Sequence, residues 1–179
     1  MVEVRLRDVR EDDVDVYVRM RCDPVMMAEL GGPLPAEGMT DKVRRDVATV
    51  AAGEGLVCMV EVDGQVAGSV VLWTNDQDPP VSETGWMVLP EWQGQGIGKE
   101  AMRQLLARAR AEGRWGTIYA SPGVTNAASN AMCRSLGFTL QGQEEVDFAG
   151  RILAVNIWRL DPAVAPGGMP GVTTALDPS

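Results

Sequence analysis

The sequence predicts one mixed α/β domain with a short tail. Segments with the period of a strand and segments with the period of a helix alternate along the chain. Two apolar runs are separated by Asp63-Gly64, a pair that favours a tight β-hairpin. A third apolar run, Trp86–Leu89, passes through a glycine-rich turn into a helical repeat. The 179 residues suffice for one domain with a hydrophobic core, which we expect to cover residues 1–160 and to precede a tail over 161–179.

The first part of the chain is predicted to form a strand and two principal helices. Alternating apolar residues over 2–7 indicate a half-buried strand. Apolar residues at helical spacing then continue to about Cys22, where an Asp-Pro pair ends the helix. Residues 25–30 suggest a short helix that two glycines stop. Thr40 is the predicted N-cap of the next helix, which we expect to end at Gly53.

The predicted hairpin follows, and the remaining elements continue the alternation. A polar loop over residues 75–80 leads from the hairpin to the next strand. The predicted strands of this part are Leu56–Val62, Val66–Trp73, Ser82–Leu89, Trp115–Ala120, Phe138–Val146 and Ile152–Leu160, with a short helix over Asn126–Leu136. Beyond Asp161 the chain is rich in Pro, Gly, Ala and Thr without periodicity, which is typical of a loose tail.

The central strand and the helix after it enclose three glycines at alternate positions, Gly94, Gly96 and Gly98. Pro90 ends the strand because it has no backbone N–H to donate. From Ile97 onward, apolar residues recur at helical spacing. Free N–H groups converge at a helix amino terminus, the helix dipole favours negative charge, and glycine lets the backbone approach a ligand closely. The segment therefore predicts an anion-binding site.

The composition excludes several classes of function. The chain has no histidine, which excludes His-based triads and His-ligated metals. Cys22, Cys58 and Cys133 lack the spacing of a metal site, so we expect no bound metal and three reduced thiols in a cytoplasmic protein. The sequence has no signal-peptide profile and no apolar run of about 18 residues, so no membrane association is expected. The net charge of −9 argues against binding to nucleic acid.

Two motifs carry a family resemblance. In Gln93-Gly94-Gln95-Gly96-Ile97-Gly98, the third glycine of a dinucleotide fingerprint would fall on Lys99, and no Gly-Lys-Ser/Thr follows for a P-loop. The segment instead resembles the pyrophosphate-binding motif of the GNAT acyltransferases, Gln/Arg-x-x-Gly-x-Gly/Ala. Asn126–Phe138 resembles the second cofactor motif of that superfamily, Asn-x-x-Ser before a helix that ends in Leu-Gly-Phe. The resemblance covers about residues 2–160 and points to the bacterial branch with small-molecule and ribosomal-protein acetyltransferases.

The resemblance implies the GNAT fold, a mixed, mostly antiparallel twisted sheet of about seven strands that splays at the cofactor site and is flanked by helices. It also implies acetyl-CoA as the cofactor, with the strand backbone pairing with the pantetheine and the turn holding the pyrophosphate. The alternative for three of the implied residues is that they are ordinary residues of a helix amino terminus that bind no ligand. These three are Asn126, Ser129 and Lys99. The cofactor-binding residues implied in this way are Met87, Val88, Gln93, Gly94, Gln95, Gly96, Ile97, Gly98, Lys99, Asn126, Ser129 and Cys133.

GNAT enzymes transfer the acetyl group directly to an amine, which requires a base, a donor to the carbonyl and a fate for the thiolate. The resemblance assigns the carbonyl donor to the N–H of Val88. Glu83 is the candidate catalytic base because it begins the same strand, and an exposed strand-start charge is the alternative. Many relatives carry a tyrosine acid where this chain has Cys133, which either donates a proton or only packs against the sulfur. Tyr119 is the second candidate for the acid.

We therefore expect an acetyl-CoA-dependent N-acetyltransferase that acts on the primary amine of a small molecule or a protein N-terminus. Residues 1–95 carry a net charge of −10 and residues 96–179 a net charge of +1. The acidic half is expected either to attract a cationic amine as partner or, with at least equal weight, only to keep the protein soluble. A non-catalytic acyl-CoA-binding sensor or scaffold is the alternative, and acyl transfer to a hydroxyl or from a longer acyl donor is a third hypothesis. A homodimer is implied by the resemblance alone. The acceptor is expected near Met26, Met27, residues 30–33, Trp73 and Trp86.

Overall fold

Seven strands and four α-helices follow one another in the predicted order in a computed structural model that describes residues 2–74, 79–148 and 150–162. The strands are β1 Val4–Asp8, β2 Gly55–Val62, β3 Gln65–Thr74, β4 Val81–Val88, β5 Thr117–Ala120, β6 Thr139–Phe148 and β7 Arg151–Leu160. The helices are α1 Val14–Arg21, α2 Met39–Ala51, α3 Ile97–Glu112 and α4 Ala127–Ser135. Most of the predicted polar loop at 75–80 and of the predicted tail at 161–179 lies outside the described residues.

The strands form one sheet in the order β1-β2-β3-β4-β5-β7-β6. Every neighbouring pair is antiparallel except β4 and β5, which are parallel. β4 and β5 pair only from Val81 with Thr117 to Glu83 with Tyr119, whereas β3 stays paired with β4 as far as Val88. The two central strands therefore diverge beyond Glu83. This confirms the predicted mixed sheet that splays at its centre.

The β2–β3 hairpin confirms the turn chemistry predicted from the sequence. Asp63 and Gly64 both have positive φ, 49° and 77°. Two successive residues with positive φ match the twist of the adjoining strands, as in a type I′ turn. The turn fixes the register of the hairpin, in which Val62 pairs with Gln65.

The two faces of the sheet carry different helices. α3 and α4 pack on one face, where Trp86 lies beside the main buried cluster, and we call this the α3–α4 face. α1 and α2 pack on the other, where Met87 lies beside a second cluster, and we call this the α1–α2 face. Since side chains alternate along a strand, Glu83 and Gly85 share the α1–α2 face with Met87. Trp115, Ile118, Met102, Leu105 and Trp158 belong to the first cluster, and Tyr17, Met20, Val57, Met59 and Leu89 to the second.

The prediction that Thr40 caps the second helix is wrong. α2 begins at Met39, directly after a 3₁₀ turn at Ala36–Gly38, and Thr40 is an exposed residue of its first turn. Met39 is 5% exposed and belongs to the α1–α2 cluster. Burial of this side chain stabilises a helix start two residues earlier than the capping preference of Thr40 alone suggests.

The described residues also bear on membranes and metals. Among residues 2–74, 79–148 and 150–162, no helix is long and apolar enough to cross a membrane. The same part of the chain contains no group of three or more His, Cys, Asp and Glu side chains that is able to hold a metal ion. Cys22, Cys58 and Cys133 are free thiols.

A buried carboxylate ties the start of α1 to the edge of the sheet. Asp13 is 4% exposed and accepts hydrogen bonds of 2.6 and 2.8 Å from the guanidinium of Arg7 and of 2.7 Å from the backbone N–H of Arg10. Arg7 also donates to Glu61 on β2. Burial by itself raises the pKa of the Asp13 carboxyl, but the bonds from Arg7 and Arg10 outweigh it and hold the pKa below its ordinary value.

Arg7→Ala is expected to lower the free energy of unfolding by about 3 kcal/mol, because it leaves a buried carboxylate without its main partner. Urea denaturation at neutral pH measures the change. Because the folded-state pKa of Asp13 is lowered, the stabilisation is present above the unfolded value of about 3.9. It is lost as the pH falls through the folded-state value, so the two proteins converge in acid.

Arg5→Ala is the matched control for this prediction. Arg5 lies on the same strand and bonds Glu3, but the two side chains are 71% and 69% exposed. An exposed ion pair of this kind contributes about 0.5 kcal/mol or less. Equal losses of stability in the two variants would contradict the importance of the Asp13 bonds.

Candidate active site

The unpaired edge of β4 forms one wall of a cleft between β4 and β5. The N–H of Leu89 donates to the carbonyl oxygen of Ala67 on β3, at 2.9 Å. Backbone groups of an antiparallel strand point alternately to its two neighbours. Those of Met87 therefore point to β3, and those of Val88 and Trp86 point into the cleft. An extended ligand is able to bond with β4 at these two residues, as an added strand would.

The glycine-rich turn presents a row of free donors at the mouth of this cleft. Gly94 and Gly96 have φ of 74° and 77°, and a Cβ at either position would meet no atom within 4 Å. Within the described residues, no N–H of residues 94–99 donates to a backbone or side-chain acceptor. The turn opens α3, a helix of 16 residues whose amino terminus carries partial positive charge. The turn therefore has the geometry that the predicted anion site requires.

Two glutamines hold the turn in place. The side-chain amide of Gln93 donates to the carbonyl oxygen of Val88 at 2.8 Å, and that of Gln95 donates to the carbonyl of Glu91 at 3.1 Å. The first bond joins the turn to the end of β4. It occupies the carbonyl oxygen of Val88, so the N–H is the backbone group of Val88 that stays available to a ligand. The sequence motif identifies Gln93 without indicating this structural role.

Ile97 and Gly98 set how closely α3 approaches the sheet. Ile97 is 2% exposed and packs in the cluster of the α3–α4 face. A Cβ on Gly98 would lie 3.0 Å from Cγ2 of Val88 and 3.8 Å from Sδ of Met132. The first distance is shorter than ordinary van der Waals contact, so glycine allows α3, β4 and α4 to meet at this point.

Two cations, Lys99 and Arg103, follow the turn on α3, and they differ in their partners. Arg103 donates to Glu100 at 2.6 Å, in an exposed ion pair one turn into α3. Lys99 is exposed and makes no ion pair with any of the described residues. It lies directly beyond the free N–H groups, so Lys99 is the cation placed to contact an anion there.

α4 faces the same cleft from the side of β5. Asn126 caps this helix, because its Oδ1 accepts the N–H of Ser129 at 3.0 Å. Its side-chain N–H₂ donates to none of the described residues and is free for a ligand. Ser129 Oγ accepts a 3.3 Å bond from the indole N–H of Trp86 on β4. Both interpretations of Asn126, helix cap and ligand donor, are therefore compatible.

Asn130 is a residue that the sequence analysis missed. It is 8% exposed, and its amide N–H₂ donates to the carbonyl oxygens of Gly123 and Asn126. Its Oδ1 accepts bonds of 2.8 Å from Asn156 and from the indole of Trp158 on β7. The signal was its spacing, one helical turn after Asn126 and one before Cys133, which places a polar residue on the buried face of the helix.

Cys133 lies inside the protein. Its side chain is 0% exposed and packs in the cluster of the α3–α4 face. Burial raises the pKa of its thiol to about 12, so the thiol stays protonated at neutral pH.

Glu83 occupies the closed end of the cleft, on the other face of the sheet. It is exposed and belongs to the last residue pair between β4 and β5, with Tyr119 as its partner. On β3 its partner is Trp73, which is 43% exposed. The Glu83 carboxylate bonds none of the described residues. The structure thus places Glu83 and Cys133 on opposite faces of the sheet.

The comparisons with known proteins agree with this geometry. The family model described as an acetyltransferase (GNAT) domain matches residues 3–139. The chain belongs to the GNAT acetyltransferase family. No curated protein sequence matches it significantly. Members of the family use acetyl-CoA as the acetyl donor, so the chain is an N-acetyltransferase with that cofactor.

Solved structures share the fold across nearly the whole chain. The ribosomal-protein α-N-acetyltransferase RimL, in its apo form, matches with a TM-score of 0.76 and 21% identity over 90% of this chain and 95% of its own. The ribosomal-protein-alanine N-acetyltransferase of Brucella melitensis matches at 0.71 and 23% over 88% and 99%. yncA of Salmonella typhimurium, solved with its cofactor acetyl-CoA, matches at 0.70 and 22% over 94% and 99%.

The residues around the cleft fit acetyl-CoA. The free N–H groups of residues 94–99 and the adjacent Lys99 suit a pyrophosphate. The open backbone positions of β4 suit the amide groups of a pantetheine arm. Asn126 offers a free side-chain donor on the opposite wall. The bound cofactor would supply the acetyl thioester.

Gly96→Ala is expected to weaken acetyl-CoA binding on the order of tenfold, equivalent to about 1.4 kcal/mol. An alanine disfavours the left-handed φ of residue 96 by about 1–2 kcal/mol, and relaxation of the backbone turns the neighbouring N–H groups away from the anion. Calorimetric titration with acetyl-CoA and with desulfo-CoA measures the affinity.

Gly113→Ala is the control, because Gly113 caps the other end of α3 with a φ of 66°. Both substitutions should lower stability by similar amounts, whereas only Gly96→Ala should lower affinity. Unchanged affinity of Gly96→Ala would exclude the turn as the pyrophosphate site.

Proposed function

We propose that this chain transfers the acetyl group of acetyl-CoA directly to a primary amine, with Glu83 as the base. The observation that carries the proposal is the position of Glu83 at the closed end of the β4–β5 cleft, with a carboxylate free of partners among the described residues. The amine then approaches from the α1–α2 face, and the cofactor occupies the cleft and the glycine-rich turn.

In this proposal each cofactor contact has a defined donor. The N–H groups of residues 94–99 and Lys99 hold the pyrophosphate, with Gln93, Gln95 and Gly98 keeping the turn in position. Val88 donates its N–H, and Trp86 offers the next open backbone position along the cleft. Met87 contributes through its side chain, because its backbone points to β3. Asn126 donates from its free amide, and Ser129 holds the Trp86 indole in place.

The reaction needs a route for protons. Transfer to an ammonium forms one C–N bond, breaks the C–S bond and releases two protons from the nitrogen, of which one returns to the sulfur. Glu83 takes protons from the amine through water, since the carboxylate is exposed. The Val88 N–H stabilises the negative charge that develops on the carbonyl oxygen. Water protonates the thiolate, because Cys133 is buried with a raised pKa and contributes packing only.

The acceptor is the primary amine of a small molecule or of a protein N-terminus. RimL and the Brucella enzyme are named for ribosomal-protein acceptors, which supports the second possibility. The acidic half of the sequence supports a cationic acceptor. Met27 is fully buried. Met26 is partly buried and packs against the α1–α2 cluster, so of the two only Met26 is placed to contact an acceptor. A cytoplasmic location and a homodimer remain predictions from the sequence.

Glu83→Gln is expected to lower kcat on the order of 10²-fold while acetyl-CoA affinity is unchanged, because only the proton acceptor is lost. A thiol-release assay over a panel of amines measures turnover, and calorimetry measures affinity. Glu145→Gln is the control, since Glu145 is an exposed carboxylate on β6 that pairs with Ala154 on the other face. Cofactor binding without turnover of any amine, unaffected by Glu83→Gln, would favour a non-catalytic acyl-CoA-binding module instead.

Cys133→Ala is expected to retain turnover and to lose about 1–2 kcal/mol of stability through the cavity it creates. Cys58→Ala is a matched control, because Cys58 is likewise 0% exposed and burial raises the pKa of its thiol to about 11. Turnover lost in Cys133→Ala alone would show that the Cys133 thiol acts as the general acid.

A further inference from the structure

Four side chains form a row across the α1–α2 face at the closed end of the cleft. Trp73 on β3 pairs with Glu83 on β4, Glu83 pairs with Tyr119 on β5, and Tyr119 pairs with Arg159 on β7. Directly paired residues point to the same face of a sheet. These four residues, which we call the apex row, are therefore neighbours in space although they come from four separate strands.

The apex row holds two opposite charges that do not neutralise each other. Glu83 and Arg159 are both exposed, and neither makes an ion pair or a side-chain hydrogen bond with any of the described residues. Two strand spacings, about 10 Å, separate their Cα atoms, with Tyr119 between them. Glu83 and Arg159 do not pair with each other. A ligand that carries a cation and an anion a few bonds apart is able to pair with both of them at once.

Gly85 leaves the sheet surface open beside the apex row. It is the next residue of β4 on the same face, and a Cβ there would meet only Cγ2 of Val71, at 3.5 Å. The absence of a side chain leaves room above the sheet between Glu83 and Met87. Glu83 therefore borders open sheet surface on the side of β4 that leads toward Val88, whereas Arg159 lies on the far side of Tyr119.

We propose that the acceptor is a small primary amine that also carries a carboxylate, as a free amino acid does. Its ammonium group binds Glu83 and its carboxylate binds Arg159, through a charge-assisted contact of the guanidinium with the carboxylate. Tyr119 lines the space between the two charges, and Trp73 bounds the ammonium side. This inference rests on the proposed function and adds to it the chemical class of the acceptor. Arg159 is then a specificity residue rather than a catalytic one.

The test compares the common amino acids with their carboxamides as acceptors, by kcat/KM. A carboxamide keeps the amine but loses the negative charge, and its amine is less basic, so it should react faster if the carboxylate had no role. We expect the acids to be preferred by at least about tenfold, equivalent to ~1.4 kcal/mol. In Arg159→Gln this preference should disappear, with the carboxamide rates unchanged. Arg5→Gln, a change to an exposed strand arginine at the opposite edge of the sheet, should leave the preference intact.

Equal use of acids and carboxamides, or a preference for peptides with a free N-terminus, would overturn the inference and leave the proposed function standing. If no amine is acetylated, the proposed function fails. The inference about the acceptor is then tested by a binding measurement instead of by turnover. Calorimetric titration of the CoA-saturated protein with the same pairs should then show binding of an acid that Arg159→Gln abolishes. Absence of such binding would overturn the inference as well.

Discussion

The two central strands, β4 and β5, are joined by three residue pairs. The cleft of the candidate site exists because the pairing ends there. β4 and β5 are parallel and pair only over Val81–Glu83, while β3 holds the other edge of β4 to its end. β4 is therefore a fixed strand with one open edge. A parallel contact continued to Val88 would satisfy the same backbone groups that a pantetheine arm needs. The early end of the pairing leaves open the strand edge that we propose as the cofactor site.

The glycine-rich turn extends this arrangement from the strand to the helix. Its N–H groups have no partners in the part of the chain that the structure describes, because they face solvent, where water satisfies them at little cost. Gln93 fixes the turn to Val88, and Gly98 lets α3 lie directly against β4. The positions of the proposed phosphate donors and of the proposed carbonyl donor are thus set by one continuous piece of backbone. Such preorganisation lowers the entropy lost when the cofactor binds.

The opposite wall is held by buried amides. Asn130 uses four hydrogen bonds to join α4, the connection before it and β7. A buried amide with all its partners in place fixes one arrangement, because leaving any partner unpaired costs about 1–3 kcal/mol. Asn126, four residues earlier, is held in position by these bonds, because its carbonyl oxygen accepts one of them. The two walls therefore owe their rigidity to different chemistry, a strand ladder on one side and side-chain amides on the other.

Local features of the sequence predicted most of the fold. The Asp63-Gly64 hairpin, the strand that ends at Pro90 and the helix from Ile97 are all confirmed, because φ preference and apolar period act over a few residues. The start of α2 was the exception, since burial of Met39 outweighed the capping preference of Thr40. The two cofactor motifs identified the family, and alternation alone placed Glu83 and Met87 on one face.

The tertiary structure decided which distant residues meet. That Trp73, Tyr119 and Arg159 flank Glu83 follows from the registers of three strand pairs, and a shift of one residue in any of them would move a side chain to the other face. Registers between strands far apart in sequence depend on packing of the whole sheet, which no local pattern encodes. The bonding of Asn130 to β7 has the same origin. By itself the sequence determined the cofactor and the elements that hold it, whereas the surroundings of the amine were set only by folding, because they combine strands that local preferences cannot align.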